Sequence, residues 1–364
     1  MPELMYIAPL PRPAARALQV AHTCEAIAAL GVTVTLWTAG RGARDLYAHS
    51  GVADNFAMRY FPAVLFPLAV FFAALFSRAQ AFYSRDALIL LLLSLVKPRR
   101  ALTYEAHGLA QGRFGKSVQR WTLRRVGTVF GVTPALRDEL ARLGAKRAFV
   151  AHNAVRRAHF ENVPSRLEAR RLLGWPQDAF IVAAFGADGA HALIAALALV
   201  WAQAGGFRAA LALIGVDDDS ALRAEWQKLG LEAEAFLTTG VVPPPDVPLC
   251  LSACDVLTLL LPRTEHSAYY ASPLRLFEAL AARRALIAAD LPAWEDVLTH
   301  EEHALLVPAG ATRTLADALT RLYNDPLLRQ ALADSAYEHV MARFTSEQRA
   351  RAILKKVFAR DKKS

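Results

Sequence analysis

Short apolar runs recur along the chain, and each is followed by a stretch whose apolar positions return with helical spacing. One series comprises Val32–Trp37, Ala81–Tyr83, Ala101–Tyr104, Thr128–Val132 and Ala148–Ala151. A second comprises Phe180–Phe185, Ala209–Ile214, Ala235–Thr238, Val256–Leu261, Ala285–Ala288 and Ala304–Val307. Runs that are apolar throughout, rather than at alternate positions, predict strands covered on both faces, as in parallel sheets. Strands alternating with helices predict a doubly wound α/β architecture. Polar and charged residues at Asn153–Pro164 interrupt the pattern. It therefore predicts two domains, residues 1–155 and 156–344, with a ligand cleft at the carboxyl ends of their strands. The closing stretch, Thr345–Ala359, reads as a basic amphipathic helix that packs back on the first domain. Thr345 or Ser346 is its expected N-cap, with Glu347 in the first turn.

Two segments, Phe61–Phe76 and Ala87–Val96, are strongly apolar. Both are shorter than the roughly 20 residues a spanning helix needs, and the first carries Pro62 and Pro67. We expect buried helices, with contact to a membrane face as the alternative. The N-terminus has neither a basic region nor a continuous apolar one, so no signal peptide is expected. The chain has 364 residues, 54% hydrophobic and 21% charged, which accommodates two cores and excludes general disorder. Cys24, Cys250 and Cys254 show neither a disulfide framework nor metal-ligand spacing, so a cytoplasmic, reducing setting is expected.

Charge is distributed unevenly. Residues 1–160 carry a balance of +13, residues 161–340 a balance of −10, and the tail 341–364 a balance of +6. The pattern argues against a nucleic-acid coat and suits one surface that faces something anionic. In "GRFGKSVQRWTLRR", Arg113, Lys116, Arg120 and Arg124 share one helical face, and Phe114, Val118 and Trp121 line the next. Two readings stand. One is an interfacial helix on anionic headgroups, each cation contributing about 1 kcal/mol; the other is an ordinary surface helix packed through Phe114 and Trp121. The first allows peripheral contact with the inner face of the plasma membrane.

The most informative stretch is "SPLRLFEALAARRALIAADLPAWEDVL", beginning at Ser272. A turn at Ser272–Pro273 opens a helix at Leu274, and backbone N–H groups at such a start form an anion site. Arg275 lies in the first turn. Glu278, further along, can accept both hydrogens of a vicinal diol such as a ribose. Diphosphate and ribose together make half of a nucleotide sugar.

This stretch resembles the donor-binding signature of glycosyltransferase family 4, which has the two-domain GT-B fold. "TTGVVPPPDVPLCLSACDVLTLLLP" is similar to the family's base-binding loop, with Gly240 and Val241 beside the nucleobase. "LTYEAHGLA" and "VFGVTPALRDELARLGAKRAFVAHNAVRRAHF" follow in the family's order. The resemblance implies an acceptor-binding first domain and a donor-binding second one. It also implies transfer of a hexose from a nucleoside diphosphate sugar to a hydroxyl, with retention, in glycan, glycolipid or cell-envelope polysaccharide synthesis. No cofactor or metal is expected.

His107 stands where the family has a histidine facing sugar and acceptor; a structural histidine is the alternative reading. Glu105 is expected on the opposite face of its strand, without a role. Tyr270 stands where the family has its first glutamate. The loop from Gly186 to His191 carries no permanent cation, so Arg275, Arg263, His191 and helix-start N–H groups are expected to balance the leaving diphosphate. The turn "APLPRPAARA" is rich in proline and arginine where many relatives have glycines. The acceptor is expected to be lipid-linked or anionic. The rival reading is a GT-B scaffold that binds nucleotide sugar, or serves as a partner subunit, without turnover.

Overall fold

A computed structural model of the chain describes residues 1–9, 14–39, 51–203 and 207–359. Most of the proline- and arginine-rich turn, residues 10–13, lies outside the described residues. The chain divides into two compact units: residues 1–154, 269–272 and 345–364, and residues 155–268 and 273–344.

In the first unit the strands are β1 (Glu3–Ala8), β2 (Thr33–Ala39), β3 (Ala57–Phe61), β4 (Ala81–Ser84), β5 (Leu102–Ala106), β6 (Thr128–Gly131) and β7 (Ala148–Val150). They form one parallel sheet in the order β3-β2-β1-β4-β5-β6-β7. Helices α1 (Ala14–Ala29), α2 (Phe66–Phe76), α3 (Ala87–Leu93), α4 (Gly112–Arg125) and α5 (Pro134–Arg142) cover its faces. One face packs Phe66, Val70, Ile89, Leu90, Leu123 and Leu136 against the sheet. The other takes Val20 and Ile27 of α1 with Ile353 of the C-terminal helix, Ser346–Val357. That helix starts on Thr345, whose hydroxyl accepts from the Gln348 N–H at 3.3 Å, so the expected cap is present.

The second unit holds β8 (Phe180–Phe185), β9 (Ala209–Ile214), β10 (Phe236–Thr238), β11 (Val256–Leu259), β12 (Ala285–Ala289) and β13 (Leu305–Val307). Their parallel order is β10-β9-β8-β11-β12-β13. The helices are α6 (Arg166–Leu173), α7 (Ala190–Ala202), α8 (Ser220–Lys228), α9 (Val247–Ser252), α10 (Glu265–Tyr269, at the junction of the units), α11 (Leu274–Ala281), α12 (Thr312–Asn324) and α13 (Pro326–Arg343). Helix Ser346–Val357 completes the series as α14. Both sheets are Rossmann-like, each reversing its strand order beside its first strand. Cys24, Cys250 and Cys254 are free thiols buried among apolar side chains.

Two apolar expectations need correction. Phe61 closes β3, and α2 begins only at Phe66. It lays one face on the sheet, so Phe66, Val70 and Ala74 are buried while Leu68, Phe72 and Phe76 are exposed. Helix α3 likewise buries Ile89, Leu90 and Leu93 and exposes Leu88. No helix among the described residues is long and apolar enough to cross a membrane. Strands β1 and β3 were absent from the apolar series. Alternation hides β3, whose Met58 and Tyr60 are only half-buried between exposed Ala57 and Arg59.

A buried ion pair ties the lower edge of the second sheet together. Arg170 on α6 reaches Asp255 at 2.7 Å and also donates to the carbonyls of Ala253 and Gln177. Asp255 in turn accepts from the Ile181 N–H at 2.8 Å. Removing one partner leaves the other charge buried without compensation, which costs about 3–5 kcal/mol. Asp255→Ala should therefore destabilise the second unit by that amount in denaturant titration. A loss below about 1 kcal/mol would show that Arg170 finds water or another partner.

Candidate active site

Parallel strands deliver their carboxyl ends to one edge of each sheet, and the polar residues gather there. In the first unit, Glu105 near the end of β5 is fully buried. Its carboxylate meets Arg85, which follows β4, at 2.8 Å and Arg349 of α14 at 2.8 Å. The Tyr83 hydroxyl donates to it as well. His107 Nε2 lies 2.6 Å from Glu105 Oε1. The expectation that Glu105 and His107 diverge is thus corrected: the two are separated by one residue, and the chain leaves the strand at Ala106 with both side chains on the same side.

The electrostatics follow from this packing. Burial pushes the Glu105 carboxyl up, but Arg349, Arg85 and the His107 bond outweigh it and hold the group well below the usual range. Burial and the neighbouring Arg85 push His107 down to about 4, despite the opposing pull of Glu105. A third of the imidazole still reaches solvent, so it is the Nε2 edge that is desolvated. A neutral ring that donates Nε2–H to a carboxylate keeps Nδ1 as an acceptor. It can accept a hydrogen bond from a hydroxyl while itself uncharged.

In the second unit, the turn after β8 is shaped by Arg275 of α11. Its guanidinium donates to the Phe185 carbonyl at 2.7 Å and to the Asp188 carboxylate at 2.5 Å. Gly186 has φ +88°, and a Cβ there would lie 1.7 Å from the Arg275 guanidinium. Gly189 has φ +78°, and a Cβ there would lie 2.3 Å from the Leu260 carbonyl oxygen. Only glycine fits either place. Asp188, Gly189, His191, Leu260, Pro262 and Gly310 line a pocket at this edge of the sheet. His191 opens α7 and pairs with Glu225.

Gly240, in the left-handed region at φ +63°, and exposed Val241 follow β10. Arg263, also exposed, follows β11. Leu274 opens α11 after Pro273, with Arg275 and Glu278 on the same helix. Tyr270 and Ser272 belong to the first unit instead. There Asn153 donates its backbone N–H to the Ser272 hydroxyl at 3.1 Å and its side-chain amide to the Ser272 carbonyl. Tyr270 packs at the margin of that unit's core. Arg113, Lys116, Arg120 and Arg124 are all exposed on α4.

Sequence reasoning missed Glu105, Arg85, Tyr83 and Arg349. One signal was available: a carboxylate inside an otherwise buried strand requires cations. Arg349 also falls on the inward face of α14, with Ser346, Ala350 and Ile353.

Glu278 yields a pH prediction. Burial raises its pKa from 4.5 to about 7, against the lowering effect of Arg275. The folded state therefore binds more protons than the unfolded state between those values, and stability falls as pH rises through that window. Glu278→Gln removes this penalty. Between pH 5 and pH 8 the variant should gain about 1–2 kcal/mol relative to the parent, a figure reduced for partial solvent exposure. Thermal melts across that range test it; a pH-independent difference would contradict the burial assigned to Glu278.

Comparison with known proteins agrees with the architecture. The model for Glycosyltransferase Family 4 matches residues 17–159, and the model for glycosyl transferases group 1 matches residues 177–325. A protein of Bacillus subtilis named for teichuronic acid biosynthesis is 30% identical over 126 residues, 35% of this chain and 31% of that protein. A lipopolysaccharide core biosynthesis mannosyltransferase of Rhizobium leguminosarum is 32% identical over 97 residues, 27% of each. The matched stretch thus spans less than a third of each curated relative. The crystal structure of Anabaena HepE in complex with UDP and glucose superposes with a TM-score of 0.77 at 17% identity, covering 98% of this chain and 99% of that one. Two family models lying end to end, on two parallel Rossmann-like sheets, place this chain among the family 4-like glycosyltransferases of the GT-B fold.

Proposed function

We propose that the protein transfers a hexose from a nucleoside diphosphate sugar to a hydroxyl acceptor in cell-envelope glycan synthesis, with retention of configuration. The observation that carries the reading is the edge of the second sheet, where Gly186 and Gly189 let Arg275 and Leu260 pack onto the turn after β8, which sets the Arg275 guanidinium beside that turn and near the start of α11. Diphosphate oxygens are received there by backbone N–H groups, and Glu278 accepts the ribose hydroxyls. Gly240 and Val241 flank the base. The UDP bound by Anabaena HepE supports a nucleotide of this class. The two curated relatives support an envelope saccharide as product.

His107 then contacts sugar or acceptor. Its neutral ring, held by Glu105, accepts a hydrogen bond from the incoming hydroxyl through Nδ1. Charge on the departing diphosphate is met by Arg275 together with Arg263 and His191, and no metal is required. Turnover should persist in the presence of a chelator.

The competing reading, a nucleotide-sugar binder without turnover, draws on Asp188. Its carboxylate occupies Arg275 and offsets the charge a diphosphate would seek. A panel of nucleoside diphosphate sugars screened by thermal shift identifies the donor, because a tight ligand raises the melting point. With the donor found, hydrolysis or transfer by the purified chain supports catalysis, whereas binding without either supports the competitor. For the nucleoside diphosphate itself, Glu278→Ala should weaken binding by about 1–3 kcal/mol in calorimetry. Unchanged affinity would reject the ribose role.

A further inference from the structure

Helices α2, α3 and α4 lie side by side on one face of the first sheet, with α3 packed against both neighbours. Their inner faces belong to the core. Their outer faces are unusual for a protein surface. Leu65, Leu68, Phe72 and Phe76 form a ridge along α2 at helical spacing, with Phe72 59% and Phe76 86% exposed. On α4, Phe114 and Trp121 are 75% and 53% exposed, so the view of α4 as a surface helix anchored through those two rings fails. The helix is held instead by Gln119, Thr122 and Leu123.

The charge around this ridge has one sign. Residues 61–126 contain ten Lys and Arg against two Asp and Glu. Neither acid is available to a partner: Asp86 caps α3 through the Ile89 N–H, and Glu105 is buried among its cations. The exposed cations of α4 therefore have no acidic neighbour within this span.

We infer that this face is a docking surface for an anionic lipid bilayer, with the α2 ridge entering the acyl boundary and α4 lying among the headgroups. A bilayer accepts Phe72 and Phe76 without asking for hydrogen bonds, and its anionic headgroups take Lys116, Arg120 and Arg124. A second copy of the chain fits poorly. An isologous contact would bring the same cations face to face across the seam. The acidic balance of residues 161–340 also gives an anionic membrane reason to attract one unit and repel the other. The inference stands apart from the glycosyltransfer reading, since it concerns no donor-binding residue.

The test uses the full chain, without nucleotide sugar, in co-sedimentation with phosphatidylcholine vesicles prepared with or without phosphatidylglycerol. Emission from Trp121, taken as the difference between the parent and a Trp121→Phe variant because the chain has six tryptophans, serves as a second readout. The parent protein should bind the anionic vesicles at least about tenfold more tightly, with a blue shift of Trp121 and weakening as salt rises. The double variant Phe72→Ser/Phe76→Ser should lose about tenfold or more at every salt concentration while keeping the parent's circular dichroism spectrum and cooperative melting, which verify its fold. Lys116→Glu with Arg120→Glu should remove both the preference for phosphatidylglycerol and the salt dependence. The inference is overturned if the parent ignores anionic vesicles at low salt, or if the Phe72/Phe76 variant binds them as well as the parent. A parent dimer that this variant dissociates would also overturn it, assigning the ridge to a contact between copies.

Discussion

A carboxylate placed inside a sheet has to be compensated, and in the first unit that requirement organises everything near the strand ends. Glu105 has no access to water. An unpaired ion there would cost several kcal/mol, so Arg85 from the turn after β4 and Arg349 from α14 converge on it. The C-terminal helix is thereby bound to this unit by a specific charge as well as by its apolar face. His107 takes its chemical character from the same cluster. Burial and the Arg85 guanidinium keep the ring neutral against the opposing pull of the Glu105 carboxylate, which accepts its Nε2–H. The polar hub thus sets both the fold of the C-terminus and the proton inventory of the proposed site.

The second unit solves a different problem with the same economy of parts. A ligand phosphate needs backbone N–H groups that no side chain shields. In the proposed site the start of α11 offers such groups, while Gly186 and Gly189 make room for Arg275 and Leu260, and Arg275 bonded to the Phe185 carbonyl fixes the turn they belong to. Glu278 is the tension in the arrangement. Its burial favours the protonated form, whereas a diol is better gripped by the carboxylate. Under the proposed function, a bound ribose resolves this by donating two hydrogen bonds to the charged form, which couples ligand binding to deprotonation.

The alternation of apolar runs and helical stretches made the two parallel sheets legible, because strands such as Phe180–Phe185 and Ala209–Ile214 are buried on both faces and read as continuous runs. Edge strand β3 has half-exposed and exposed residues and left no such trace. The helix of the proposed donor edge was legible because the turn signal at Ser272–Pro273 and the helical spacing through Glu278 fall within one segment. The Glu105 cluster was not, since Arg85, Glu105 and Arg349 come from distant stretches and only the fold brings them together. The exposed ridge of α2 was hidden for another reason: periodicity does not reveal orientation when every position of a helix is apolar.

What unites these parts is the proposal that a nucleotide's diphosphate sits on the turn after β8 and the opening of α11. Amide hydrogen exchange, measured with and without the nucleoside diphosphate that binds most tightly, tests this directly. Protection should appear at residues 186–191 and 274–279, with little change along the opposite edge of the sheet around Asp255. Protection concentrated elsewhere, with those two stretches exchanging as fast as in the free protein, would contradict the account.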